Sequence, residues 1–184
     1  IEFSLFHKVA VSYYPSYVEE EAIHAVDETI PVKAITAYVY EEFLQNLNKD
    51  FAKREGLLFV GGFAHPPNAD AVLWFAKEVF PKIREQIKVN FYIVGSKVTD
   101  EIKALEQPGN GIIVKGFVSE EELADLYRNC RIVVVPLRYG AGVKGKVVEA
   151  IYNGAPIVTT SVGSEGIPEV EKVLLVEDQP DEFA

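Results

Sequence analysis

The stretch RIVVVPLRYGAGVKGKVVEAIYNGAPIVTTS, residues 131–161, contains the pattern that decides the fold. An apolar, β-branched run at 131–137 predicts a buried strand, and residues 143–153 have the length and apolar spacing of a helix. An Asn-Gly pair supplies a helix stop, after which the run at 155–161 predicts a second strand. Strand, glycine-rich loop, helix and strand in this order predict a unit with parallel strands.

The same alternation of apolar runs and helix-length segments continues outward over residues 57–184. Continuous apolar runs are typical of strands that are covered on both faces. The order predicts an α/β fold with a Rossmann-like, doubly wound parallel sheet, whose ligands bind beyond the carboxyl ends of the strands. The predicted strands are 57–63, 89–95, 111–117, 131–137, 155–161 and 172–177, and the predicted helices are 68–87, 97–106, 119–129 and 143–153.

Residues 1–45 form a separate part of the predicted organisation. Within them the pattern predicts a strand, a helix and a strand, at 7–14, 15–26 and 31–39. We expect this part to be the tail of a preceding α/β domain, joined by a linker at 46–56 to the domain at 57–184. The alternative is that these early elements extend the same sheet. Because the chain begins with Ile1 and contains no Met, we expect it to be a piece of a longer protein.

The composition excludes several functional classes. The 184 residues carry a net charge of −10, whereas sequence-independent binding to nucleic acid needs a basic surface. The single Cys130 cannot form an internal disulfide and is expected to be a buried small hydrophobe. No apolar run approaches the roughly 20 residues that span a bilayer. The His residues fit no zinc-site or catalytic-triad spacing, so we expect no metal.

The glycine-rich loop fits two general phosphate-binding patterns. Gly140, Gly145 and Lys146 match G-x-x-x-x-G-K, but Val147 stands where a P-loop needs Ser or Thr to bind Mg²⁺. The loop also matches the dinucleotide pattern G-x-G-x-x-G, and Glu165 lies where a ribose-binding acid would be expected. However, that pattern normally follows the first strand of its sheet, and at least three predicted strands precede this loop.

A third interpretation rests on longer motifs. They are FVGGF at 59–63, PPNADAVLWF at 66–75, VKGFVSEEELADLYRNCRIVVVPL at 114–137 and GAGVKGKVVEAIYNGAPIVTTSVGSEGI at 140–167. In order and spacing they resemble the C-terminal, donor-binding domain of GT-B glycosyltransferases of the group 1 family. Residues 1–56 resemble the end of that family's acceptor domain only loosely.

The resemblance implies a role for Glu149, whose carboxylate would accept hydrogen bonds from the ribose hydroxyls of a nucleotide. The residue types alone leave open that Glu149 is a solvated helix residue or pairs with Lys146. The chain also departs from the family pattern: many members have a Glu at the place of Ala141 and basic residues near Gly62 and Asn68. Our hypothesis is that Lys144 supplies the missing positive charge beside the backbone amides of residues 143–145.

The resemblance thus predicts a donor site at the carboxyl ends of the strands, without identifying a catalytic residue. The loop at 115–119 would meet the base, although Phe117 could equally fill core, which is the commoner place for a Phe. His65 could face the ligand or be exposed, and Arg138 lies close to the loop lysines in the sequence. The predicted donor-binding residues are Gly61, Gly62, Lys115, Phe117, Gly140, Ala141, Gly142, Val143, Lys144, Gly145 and Glu149.

The function implied by the resemblance is transfer of a sugar from a nucleotide-diphospho-sugar to an acceptor, with retention and without a metal or other cofactor. The acceptor would be a glycan or lipid-linked sugar, bound by the missing domain during polysaccharide or glycoconjugate synthesis. A cytoplasmic location would follow, with peripheral attachment of the full protein to the inner face of the membrane as an option. The alternatives are a noncatalytic or epimerase-type nucleotide-sugar domain, and an NAD-binding oxidoreductase.

Overall fold

The computed structural model of this chain describes residues 3–35, 38–40, 44 and 50–184. Its N-terminal part pairs two short parallel strands into a sheet of their own, so these strands do not extend the larger sheet. A small core of Phe6, Ile23, Ile30 and Val32 holds this part together. The elements are α1 (Phe3–Phe6), β1 (Ser12–Tyr14), α2 (Tyr17–Val26) and β2 (Val32–Ala34).

The larger sheet has six strands, all parallel, in the order β5-β4-β3-β6-β7-β8. This is the order of a doubly wound Rossmann-like sheet, and the predicted α/β fold class is confirmed. The direction of winding reverses between β3 and β6, which opens a crevice at their carboxyl ends. The strands are β3 (Leu57–Val60), β4 (Phe91–Val94), β5 (Ile112–Gly116), β6 (Ile132–Val135), β7 (Ile157–Thr159) and β8 (Leu175–Val176).

Helices follow the strands of this sheet, as the sequence pattern predicts. Ser119 caps one of them by accepting a hydrogen bond from the Glu122 amide, as the Ser-x-x-Glu pattern indicates. None of the described helices is long and apolar enough to cross a membrane. The helices are α3 (Pro66–Trp74), α4 (Phe80–Gln86), α5 (Asp100–Lys103), α6 (Glu120–Asn129), α7 (Gly145–Tyr152), α8 (Ser161–Ser164), α9 (Val170–Val173) and α10 (Pro180–Phe183).

The single helix predicted at 68–87 is in fact interrupted. A π-helical turn, Phe75–Val79, separates α3 from α4. Pro81 lies in the first turn of α4 and cannot donate a backbone hydrogen bond, and its ring would clash with the carbonyl four residues earlier in a continuous helix. The wider turn before Pro81 relieves this conflict.

Three other predicted spans are longer than the elements that form. The strand at 7–14 forms only at its end, as β1, and α1 precedes it. The helix at 97–106 shortens to α5 because Lys97 adopts the left-handed conformation and Thr99 caps a later start. The strand at 172–177 is wrong for its first residues, which belong to α9, and only Leu175–Val176 pair with β7.

The core of the larger unit lies on both faces of the sheet. Phe75 is fully buried, and Trp74 packs edge-on against Phe183 at the border of the core. Cys130 is buried, as expected, and burial raises the pKa of its thiol to about 12. Part of the linker predicted at 46–56 lies outside the described residues, and Phe51–Lys53 form a 3₁₀ turn just before β3. The domain boundaries remain a prediction.

Candidate functional site

The candidate site lies in the crevice between the carboxyl ends of β3 and β6. β3 leads into Gly61 and Gly62, and β6 leads into the glycine-rich loop 140–145, which ends at the start of α7. The two strands are hydrogen-bonded neighbours, so their loops face one another. The structure therefore brings together the two predicted glycine segments that lie about 80 residues apart in the sequence, at the place where doubly wound sheets bind ligands.

The glycine-rich loop requires its glycines for conformational reasons. Gly140 and Gly142 have φ angles of 128° and 77°, which side-chain-bearing residues rarely adopt. Ala141, between them, is exposed. Lys144 occupies the N-cap position of α7 without a side-chain hydrogen bond to the helix, so the first amides of α7 can donate to a ligand. Helix N-termini with such amides attract anions.

Lys146 lies under the turn that follows β3, inside the site. Its ammonium donates to the Asn68 side chain and stands 4.5 Å from the centre of the Phe59 ring. A Cβ atom at Gly61 would lie 2.9 Å from the Lys146 Nζ, so a larger residue there would require the Lys146 side chain to shift. Burial, and after it the charge of Lys144, lower the pKa of Lys146 from 10.5 to about 7, while Glu149 acts in the opposite direction.

Lys144 also points into the structure rather than into solvent. Its ammonium lies 3.0 Å from a carboxylate oxygen of Glu165 and donates to the carbonyl of Gly142, and its side chain is only 10% exposed. Glu165 thus binds a lysine of the loop, instead of standing free as the ribose-binding acid that the dinucleotide pattern requires. The proposed contact of Lys144 with phosphate remains a prediction, and it would require exchange of this ion pair.

The turn after β3 is held by Asn68. The Asn68 side-chain amide donates to the carbonyl of Gly62 at 2.8 Å, while its oxygen accepts from Lys146. A Cβ atom at Gly95 would lie 1.8 Å from the carbonyl oxygen of Gly61, so this turn also packs directly on the backbone that follows β4. Asn68 therefore links the two loops of the crevice through Lys146.

Glu149 projects from α7, one turn after Lys146, towards α6. The hydroxyl of Tyr127 donates to a Glu149 carboxylate oxygen at 3.1 Å. Burial, followed by the nearby Glu149 charge, raises the pKa of Tyr127, which keeps this phenol a donor. Among the described residues no ion pair joins Glu149 to Lys146, so the alternative that they form a salt bridge is wrong. The carboxylate is positioned by a neutral donor, which leaves its charge available.

The loop after β5 differs from the simplest expectation. Phe117 is 82% exposed, so the expectation that it fills core is wrong. Its ring is available to a planar ligand group. Lys115, in the edge strand β5, binds the carboxylate of Glu122 on α6 at 2.7 Å. Its role as a donor-binding residue remains a prediction.

The two other basic candidates, Arg138 and His65, lie apart from the loop lysines. Arg138 is held by an ion-pair partner, and His65 lies at the start of another helix. Arg138 forms a two-pronged ion pair with Asp70 on α3, with Nε 2.9 Å from the carboxylate. His65 occupies the N-cap position of α3 and is exposed. In the described part of the chain, no group of three or more His, Cys, Asp or Glu residues could hold a metal ion.

The N-terminal part closes one side of the site. The Tyr38 hydroxyl lies 2.9 Å from the position of a Cβ atom at Gly145, and the Tyr40 ring stacks on Tyr152 of α7 with 3.8 Å between centroids. A largely apolar cleft of about 380 Å³ separates the two parts, lined by Tyr17 and Ile35 on one side and by Ile151 and Ile167 on the other. The glycine-rich loop of the larger part is therefore in contact with the N-terminal part as well.

The sequence of residues 54–184 matches the family described as Glycosyl transferases group 1. This chain belongs to that family. A relative in Klebsiella pneumoniae, named an uncharacterized 44.6 kDa protein in cps region, is 33% identical over 136 residues, which cover 70% of this chain and 33% of that protein. This chain thus spans about a third of the length of the curated relative that it matches.

Solved structures of glycosyltransferases share the fold of this group 1 chain. A mutant of TarM from S. aureus, solved with fondaparinux, alpha-GlcNAc-glycerol and UDP, superposes with a TM-score of 0.75 at 16% identity over 98% of this chain and 37% of TarM. The pneumococcal O-GlcNAc transferase GtfA, solved with UDP and GlcNAc, gives 0.69 at 20% identity over 99% and 37%. Sucrose-phosphate synthase of Thermosynechococcus elongatus gives 0.74 at 20% identity over 99% and 49%.

Sequence reasoning missed three features of this group 1 site. The residue type alone gives Lys146 the ordinary place of a lysine, on the surface, and its position beneath Gly61 follows only from the pairing of β3 with β6. Tyr127 lies 22 residues before its partner Glu149, on a different helix. Tyr38 belongs to the N-terminal part. The available signal for Lys146 in the sequence was its position one helical turn before an acidic residue, at the start of a helix that follows a glycine-rich loop.

Proposed function

We propose that this chain is the donor-binding half of a glycosyltransferase that uses a nucleotide-diphospho-sugar. The observation that carries the proposal is the pair of partly buried lysines, Lys144 and Lys146, at the uncapped start of α7 in the crevice between β3 and β6. Two ammonium groups and several free amides are suited to an anion with more than one charge, such as a diphosphate. A diphosphate can compensate both ammonium groups once Lys144 exchanges its ion pair with Glu165, which a single carboxylate or a neutral ligand cannot do.

Glu149 supports the nucleotide half of the proposal. An ionised carboxylate only accepts hydrogen bonds, and two vicinal hydroxyls of a ribose can donate to it together. Tyr127 fixes one oxygen of Glu149 without neutralising it. The exposed ring of Phe117, in the loop after the edge strand β5, offers a stacking surface for the base. Diphosphate at the start of α7, ribose at Glu149 and base towards Phe117 form the proposed arrangement.

The proposed chemistry is stabilisation of a departing diphosphate. As the bond between the sugar and the diphosphate breaks, negative charge grows on the leaving oxygen, and fixed amides and ammonium groups nearby stabilise it most when water is excluded. Lys144 and Lys146 would supply this charge without a metal ion, and the transfer would retain the anomeric configuration. The acceptor, a glycan or lipid-linked sugar of a polysaccharide pathway, would bind on the preceding domain, with the full protein at the inner face of the membrane.

Nucleotide binding by the 184-residue chain tests the proposal. We expect one or more of UDP, GDP, TDP and ADP to raise the melting temperature, since saturation to 100 times Kd adds about 2.7 kcal/mol to the free energy of unfolding. NAD is the comparison ligand for the oxidoreductase alternative. Stabilisation by NAD alone would contradict the proposal, and so would stabilisation by none of the five. We expect little sugar transfer from the chain by itself, because it spans only about a third of the length of the curated relative that it matches.

A further inference from the structure

The carboxylate of Glu19, from the N-terminal part of the chain, lies against the glycine-rich loop. Glu19 stands in the first turn of α2 and is partly exposed. A Cβ atom at Gly142 would lie 3.2 Å from its Oε1, so this carboxylate oxygen lies beside Gly142 of the loop. An acidic group from one part of the chain is thus presented at the anion-binding loop of the other.

The position of Glu19 is fixed on both sides. The Ser16 hydroxyl donates to its second oxygen, Oε2, and Ser16 itself is 3% exposed. A Cβ atom at Gly166 would lie 2.8 Å from Cβ of Ser16, so the start of α2 packs directly on the turn after α8. The next residue, Glu20, accepts a hydrogen bond from the Ala34 amide and ties α2 to β2. The carboxylate is therefore held in place at the loop by the packing around it.

The charge of Glu19 determines what it can bind there. Lys144 already pairs with Glu165, and no ion pair of the described residues includes Glu19. A carboxylate repels phosphate oxygens but accepts hydrogen bonds from hydroxyl groups. Ala141, exposed in the same loop, offers no polar side-chain atom to such hydroxyls. The group that fits beside Glu19 is consequently a polyhydroxyl group joined to the anion, not the anion itself.

We propose that Glu19 accepts hydrogen bonds from hydroxyls of the sugar of the nucleotide donor and so makes the site selective for the sugar. This inference rests on the proposed function, in which Lys144 and Lys146 hold the diphosphate. It assigns the two halves of the ligand to the two parts of the chain: the larger sheet binds the nucleotide, and α2 contacts the sugar. Binding of the sugar then requires the two parts to be in contact.

The test compares the affinities of a nucleoside diphosphate and of its sugar derivative in Glu19→Gln, measured by calorimetry on the 184-residue chain. The probes are UDP with UDP-glucose, GDP with GDP-mannose, TDP with TDP-glucose and ADP with ADP-glucose, and the pair that binds most tightly is used. Glutamine preserves the length of the side chain and an acceptor for Ser16. We expect the Kd of the sugar derivative, divided by that of the diphosphate, to rise about 10-fold, because hydrogen bonds to an ionised group are stronger.

The matched control is Glu21→Gln, which removes the same charge from an exposed position of α2 and should leave the ratio unchanged. An unchanged ratio in Glu19→Gln, or an equal loss of affinity for both ligands, would overturn the role of Glu19 while leaving the proposed function standing. The same conclusion would follow if Glu21→Gln changed the ratio as much. Failure of the unsubstituted chain to bind any of the eight probes would overturn both proposals.

Discussion

Replacement of Lys146 by Met should make this chain more stable and less able to bind a nucleotide. Lys146 has its ammonium against Gly61, Asn68 and the Phe59 ring, where burial and the charge of Lys144 lower its pKa to about 7. Methionine has a similar length and flexibility and carries no charge, so it can occupy the same space. The substitution removes an unfavourable charge from the folded protein.

The size of the gain follows from the two pKa values. The difference between 10.5 and about 7 corresponds to about 5 kcal/mol for a fully protonated lysine, at 1.36 kcal/mol per pH unit, and to about 4 kcal/mol at pH 7, where half of the groups are neutral. Loss of the hydrogen bond to Asn68 offsets about 1 kcal/mol of this. We therefore expect Lys146→Met to raise the free energy of unfolding by about 3 kcal/mol at pH 7.

The pH dependence identifies the cause. Because the unfolded chain binds more protons at Lys146 than the folded chain does between pH 7 and 10.5, this lysine makes the original protein more stable as the pH rises through that window. The advantage of Lys146→Met should therefore shrink by about 2 kcal/mol between pH 7 and pH 9. A phosphate-bearing ligand should raise the pKa of Lys146, because its negative charge favours the ammonium form. Binding near pH 7 should therefore take up a proton.

Urea denaturation of the two proteins at pH 6 to 9.5 measures this difference, and calorimetry in buffers of different ionisation enthalpy measures the proton uptake on binding. Lys172→Met is the control, since Lys172 is 62% exposed and pairs with Glu169 three residues earlier; it should change stability by less than about 0.5 kcal/mol. The reasoning fails if Lys146→Met is the less stable protein throughout, or if its advantage does not vary with pH.

The other predictions concern ligand binding and are checked by calorimetry with the best-binding nucleoside diphosphate. Glu165→Gln should bind the nucleoside diphosphate more tightly, by roughly 3- to 10-fold, because Lys144 no longer has to leave an ion pair. Lys144→Ala should bind it more weakly. Unchanged affinity in Lys144→Ala would show that Lys144 is not part of the site. Tyr127→Phe should weaken binding by about 5-fold, because the hydrogen bond that orients Glu149 is lost. In our proposal Glu149 contacts the ligand and Tyr127 only orients Glu149, so a larger loss in Tyr127→Phe than in Glu149→Gln would contradict these roles. Phe117→Ala should weaken binding of the nucleotide but not of inorganic pyrophosphate, because we propose that its exposed ring stacks on the base; equal losses would contradict this.

The fold could be predicted from the sequence because its signals are local. The buried strands β3, β4 and β6 are short, continuous apolar runs, which are typical of parallel sheets with both faces covered. The ends of the elements were harder to predict. The helix is interrupted before Pro81, although the apolar spacing of the sequence continues through this residue. Lys97 adopts a left-handed conformation, which its residue type does not predict.

The candidate site was only partly predictable for a different reason. The glycines of the loop after β6 and Glu149 belong to one continuous segment, and their spacing is visible in the sequence. The interactions of Lys146 with Asn68, and of Lys144 with Glu165, join residues 78 and 21 positions apart. Such contacts depend on strand order and helix packing, neither of which the spacing of residue types encodes. For Phe117 the default expectation of burial in the core was wrong, because a Phe in an apolar run carries no local sign of exposure.

The glycines of the glycine-rich loop 140–145 have two structural roles. Their freedom to adopt positive φ shapes the turn at Gly140 and Gly142. Gly145 has no such angle, but a Cβ atom there would lie 2.9 Å from the Tyr38 hydroxyl, which would have to shift. Glu19 approaches Gly142 in the same way, and Ser16 approaches Gly166. The glycine pattern that resembles a phosphate-binding motif therefore also reflects the close approach of the two parts of the chain. A larger residue at Gly145 would require the Tyr38 hydroxyl to shift, so this glycine also serves the contact between Tyr38 and the loop.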